Sequence, residues 1–170
     1  PFGQRVHDAR WDLGVHRARH DSGLLELPES RRDHLRIRSP QRALDLDARN
    51  STSLYLMGRM LVVFKRYDES EPYLKQATEI SPKAFQPVNL LARTYLALDR
   101  FEEAEITYEK AAAVASAGDK KQLAGIYGFE GVGDGYMKAK KKPSAARAFA
   151  RALELDPGNR QLEQKLGKAH

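Results

Sequence analysis

Large apolar and small residues recur along this chain three times, in one order and at one spacing. Gly58, Ala92 and Gly133 each follow an apolar residue, Met57, Leu91 and Val132. Four positions before each small residue stands Leu54, Val88 or Phe129, and three after it Leu61, Tyr95 or Tyr136. The series continues through Ser70, Ala104 and Ala145, then Leu74, Tyr108 and Phe149, then Ala77, Ala111 and Ala152, and closes at Pro82, Ser116 and Pro157. The first two copies are offset by 34 residues and the next two by 41. Self-similarity at such a period is the signature of stacked repeats.

Within the first copy, Leu54, Met57, Gly58, Leu61 and Val62 follow helical spacing, and Tyr67, Leu74, Ala77 and Ile80 follow it again. The polar stretch Lys65–Glu69 between them predicts a turn, its acids placed to start the second helix. Pro82 ends the unit, because proline cannot continue a helix and turns the preceding residue away from helical angles. Small residues at Gly58, Ala77, Ala92, Ala111, Gly133 and Ala152 let two helices approach, and large neighbours fill the gaps. One such pair cannot cover its own apolar face, so copies stack and bury a continuous core. Each large side chain so buried contributes about 1.5–3 kcal/mol.

The pattern resembles the tetratricopeptide repeat, whose W-x2-L-G-x2-Y, A-x3-F and closing P it matches in spacing and residue class. The resemblance covers residues 51–84, 85–118 and 126–159. It implies an all-α fold: an α-solenoid of antiparallel helix pairs wound into a right-handed superhelix. Residues 160–170, with Leu162 and Leu166 on one side, are expected to form a C-terminal capping helix that shields the last apolar face. Leu166-Gly167 stands where a further copy would place its Leu-Gly pair. The seven extra residues, 119–125, amount to about two helical turns with a drift of roughly 20°. They predict one long helix from about Lys120 to Ala139 rather than a loop, although Gly125, Gly128, Gly131 and Gly135 each cost about 1 kcal/mol there.

Residues 1–50 depart from this. All ten of their basic residues are Arg, and four of the five His residues lie among them. Ala43–Asn50 parallels Ala152–Asn159, and Trp11-Asp12-Leu13-Gly14 has the look of a repeat start. The expectation is a degenerate N-terminal repeat or a partly non-native segment. The chain opens on Pro1 rather than Met, which raises the expectation of an expressed or processed fragment, a larger parent protein among the alternatives.

Composition adds limits. With 41% hydrophobic residues the chain can build one elongated helical domain. The absence of Cys excludes disulfides, thiolate metal sites and thiol nucleophiles. No apolar run approaches the ~20 residues that span a bilayer, which suits a soluble compartment, the cytoplasm first and the periplasm second. The net charge of +6 raises nucleic acid as a partner. Its densest run, Lys138–Lys142 with Lys120 and Lys121 upstream, has only Tyr136 nearby for stacking and reads better as a solvated turn before Pro143. His16 and His20 share the spacing of a helical metal pair but have no third ligand fixed by sequence. Gly131–Gly135 mimics a phosphate loop without the required preceding strand. No HExxH, GxSxG or P-loop lysine motif is present. No catalytic residue, metal or cofactor is expected, and the chain is read as a non-enzyme.

The resemblance implies that the first helix of each repeat lines a concave groove. Its candidate contacts are Tyr55, Arg59, Gln86, Asn89, Arg93, Tyr127, Glu130 and Asp134, with Thr52, Val62 and Leu96 between them. Asn89 has a donor and an acceptor for a peptide backbone. Arg59 and Arg93, at equivalent positions, could clamp a carboxylate. The two-carboxylate clamp by which some members hold chaperone tails is not reproduced, since its positions carry Tyr55, Arg59, Leu90, Tyr127 and Gly131. The expected function is a scaffold that holds a peptide segment of a partner protein. The alternatives are a structural or self-associating part of a larger protein and, more distantly, a basic nucleic-acid accessory.

Overall fold

The computed structural model describes residues 50–170, which form eight helices and no strand. They are α1 (Ser51–Val63), α2 (Tyr67–Ile80), α3 (Phe85–Ala97), α4 (Phe101–Val114), α5 (Ala117–Ala124), α6 (Phe129–Lys138), α7 (Lys142–Leu155) and α8 (Arg160–Ala169). The described residues form an all-α solenoid. Helices α1 and α2, α3 and α4, and α6 and α7 pack as hairpins, and successive hairpins pack through α2 on α3 and α4 on α6. The reading of residues 1–49, including His16 and His20, lies outside the described residues.

The same turn joins both helices of every hairpin. Lys65, Asp99 and Lys140 adopt φ of 59°, 57° and 59°, the left-handed region. The amide of each bonds back to Val62, Leu96 or Met137, and the next amide reaches Leu61, Tyr95 or Tyr136 at 2.9, 3.0 and 2.8 Å. This paired return satisfies the last carbonyls of the first helix and reverses the chain in two residues. Small residues then set the helix separation. A β-carbon on Gly58 would lie 2.6 Å from Leu74, and one on Gly133 would lie 2.4 Å from the Phe149 ring. The core that results includes Leu74, Tyr95, Tyr108, Phe129, Val132, Tyr136 and Phe149.

The long helix expected from Lys120 to Ala139 does not form. The chain instead makes α5, leaves the helix at Gly125 with ψ −170°, and begins again at α6. Two causes act together. Ser116 and Asp119 form a reciprocal capping box that fixes the start of α5. The glycines then permit a tight fold-back: a β-carbon on Gly128 would stand 2.0 Å from the Leu123 carbonyl oxygen, and one on Gly131 2.1 Å from that of Ile126. Leu123 and Ala124 are buried in the core, so the added helix is part of the stack.

Helix α8 continues the repeat register. Asn159 caps it by accepting from the amides of Gln161 and Leu162, as Asn50 caps α1 by accepting from Ser53. Leu162 is fully buried. A β-carbon on Gly167 would meet nothing within 4 Å, whereas Gly58 and Gly133 in the same register position are covered by a following helix.

Candidate functional site

The first helices of the three hairpins meet along a cleft of about 350 Å³. Val62 comes from α1, Arg93 and Leu96 from α3, and Asp134 and Lys138 from α6, with Ile126 and Tyr127 entering from the segment between α5 and α6. Ile126 and Tyr127 are 58% and 61% exposed and open to a ligand. The backbone beneath them is fixed: the buried Tyr108 hydroxyl donates to the Tyr127 carbonyl at 2.8 Å. Burial pushes the Tyr108 phenol well above its ordinary pKa, so it stays a donor.

Arg93 and Tyr127 face each other, with the guanidinium carbon 4.9 Å from the ring centroid. Such stacking orients the guanidinium plane and leaves its edge donors for other partners. The other candidates separate into three groups. Arg59 and Gln86 are exposed and Tyr55 half-buried, and none of them lines the cleft. Asn89 is only 7% exposed, and its Oδ1 is buried without a donor.

Glu130 and Asp134 are already engaged. Lys165 of α8 donates to Glu130 Oε1 at 2.7 Å and to Asp134 Oδ2 at 2.6 Å, and Gln161 adds a long bond to Glu130. Burial would lower the Lys165 pKa, but the bonds to Asp134 and Glu130 outweigh it and hold the ammonium above its ordinary value. Glu130 is therefore a buried anchor for α8. Sequence spacing missed this because Lys165 lies 35 residues away. Spacing also missed Ile126 and Lys138 as cleft residues. Ile126 directly follows the insertion, and that placement was the available signal.

The second helices carry a different chemistry. Arg100 bridges Glu71 and Glu103, Lys141 reaches Glu102, Arg147 holds Glu105, and Arg151 holds Glu109 and Glu154. Most of these pairs join one repeat to the next. Tyr136 donates to Glu105 from beneath and packs edge-on against Phe101 at 5.8 Å. Burial would raise the Glu71 pKa, yet hydrogen bonds from Lys75 and Arg100 keep it below the ordinary value. A second hollow, of about 510 Å³, lies among α2, α3 and α4 and contains none of the candidate contacts.

A family model described as tetratricopeptide repeat matches residues 61–117. Solved structures show the same fold. A MamA fragment from Desulfovibrio magneticus RS-1 superposes with a TM-score of 0.60 at 17% identity, covering 92% of this chain and 82% of that one. YrrB, described as a TPR protein with an unusual peptide-binding site, gives 0.60 at 17% identity, covering 78% and 64%. The first TPR of Spaghetti (RPAP3), bound to the HSP90 peptide SRMEEVD, gives 0.52 at 21% identity, covering 72% and 92%. At these identities the likeness is one of fold. No curated protein matches the chain significantly by sequence. Among the described residues no helix is long and apolar enough to cross a membrane.

Proposed function

From a chain that carries tetratricopeptide repeats, we propose a protein-interaction scaffold that holds a peptide segment of a partner along the face formed by α1, α3 and α6. The repeats 51–84, 85–118 and 126–159 supply the helices, residues 119–125 bring Ile126 and Tyr127 to the cleft, and residues 160–170 close the stack. The observation that carries this reading is the cleft itself. It combines exposed apolar area at Ile126 and Tyr127 with a half-buried Arg93 whose donors meet no carboxylate among the described residues. Pockets with an apolar lining and a few placed polar groups are the usual form of binding sites. The chemistry offered is recognition rather than catalysis. Solved relatives of the same fold include one described with a peptide-binding site and one bound to a peptide, which supports the interaction role.

The test is retention from source-cell lysate by the wild type beside an Arg93→Ala/Tyr127→Ala variant of equal helicity. A protein retained by the wild type alone places the site in the cleft. Equal retention removes it from there. Absence of any retained protein, with mass that rises with concentration in sedimentation, moves the function to self-association.

A further inference from the structure

The described residues contain seven arginines, and their partners divide them. Arg66, Arg100, Arg147 and Arg151 each hold a carboxylate. Arg59 and Arg160 are exposed, where water satisfies a guanidinium. Arg93 alone is half-buried without an anionic partner among the described residues; its guanidinium stacks on the Tyr127 ring. A guanidinium carries five donors in a fixed fork that matches a carboxylate. Partial burial strengthens such a pair by excluding water.

Two acids share the cleft with Arg93, and neither pairs with it among the described residues. Asp134, at the equivalent position one repeat on, lines the same cleft but is held by Lys165 at 2.6 Å. Lys138, also in the cleft, is exposed and pairs with no carboxylate among the described residues. Asp99, in the α3–α4 turn, also lines the cleft but is exposed, where water screens its charge. Beside Arg93 and Lys138 stand Ile126 and Tyr127, which directly follow the seven residues that the first two repeats lack.

Resting on the groove reading above, we infer that the cleft selects an extended segment of another protein in which an Asp or Glu neighbours a bulky apolar residue. The carboxylate pairs with the Arg93 fork, with Lys138 adding attraction. The apolar side chain covers Ile126, Val62 and Leu96. Tyr127 serves both, its ring backing the guanidinium on one side and contributing apolar area on the other.

A display library of random peptides selected on the full chain tests this. The expected outcome is enrichment of sequences that place Asp or Glu one or two positions from Phe, Leu, Ile or Trp. An enriched peptide is then synthesised with its acid and, separately, with the matching amide, and both are titrated against wild type and Arg93→Gln. The acid-to-amide change should weaken binding about 10- to 100-fold to the wild type. It should have little effect with Arg93→Gln, so the two changes do not add. Arg93→Glu should redirect selection toward Lys and Arg. Enriched peptides without an acid, or additive losses in the cycle, overturn the inference and leave the groove reading standing. No enrichment above background overturns the groove reading and the inference with it.

Discussion

Gly133 lies beneath the ring of Phe149, so close that a β-carbon on it would stand 2.4 Å from Cε1. The same sixteen-residue relation places Gly58 against Leu74. Adding a methyl at either site overpacks the hairpin. Gly58→Ala and Gly133→Ala should each lower stability by about 1–3 kcal/mol in urea unfolding. Gly167→Ala, in the same register but open, should be neutral or stabilise by up to about 1 kcal/mol. Equal effects at all three sites would refute the packing account.

Lys165→Met should destabilise the protein by about 3 kcal/mol, because it strips the cation from Glu130, whose side chain is 8% exposed. Adding Glu130→Gln should recover part of the loss, which a thermal melt of the double variant would show. The raised Lys165 pKa gives the expected sign at high pH. Its contribution is complete below 10.5 and lost as the pH climbs through the higher folded value.

At acid pH, Glu71 has the opposite sign. Its folded pKa lies below the ordinary 4.5, so its contribution is present above 4.5 and is lost as the pH falls through the folded value. Comparing urea midpoints at neutral and acid pH should show a smaller acid loss for Glu71→Gln than for wild type. An unchanged acid limb would count against the Glu71–Arg100 link.

The turn residue Lys65 stands at φ 59°, where a β-carbon is strained by about 1–2 kcal/mol. Lys65→Gly removes that strain but adds about 0.5–1 kcal/mol of unfolded-chain entropy. A net gain near ~0.5 kcal/mol is expected, read as a higher urea midpoint.

Asn89 is the described residue whose buried side-chain oxygen lacks a donor. An unsatisfied buried polar group costs about 1–3 kcal/mol. Asn89→Leu should therefore keep or raise stability. If the amide serves a bound peptide, the same variant should weaken capture in the retention assay. A clear loss of stability would mean that Asn89 has a structural role instead.

Much of the fold is written in short-range pattern. The recurrence of Gly58, Ala92 and Gly133 with Leu74, Tyr108 and Phe149 specifies helix pairs, because one face of each helix must be apolar and one point of each contact must be small. Candidate contacts were less legible. Arg59, Arg93 and Asp134 occupy one repeat position, yet one is exposed, one is stacked on Tyr127 and one is bridged by Lys165. A periodic pattern identifies a face, but a partner's charge from another helix decides whether a residue on that face is available.

The sequence by itself determined the repeat, its hairpins and the closing helix, since these follow from periodicity, turn chemistry and burial within about forty residues. Tertiary structure alone decided the break at Gly125–Gly128, the capture of Glu130 by Lys165 and the meeting of Arg93 with Tyr127. The break depends on backbone approaching backbone at glycines, and the other two on side chains from separate elements that spacing along the chain does not relate.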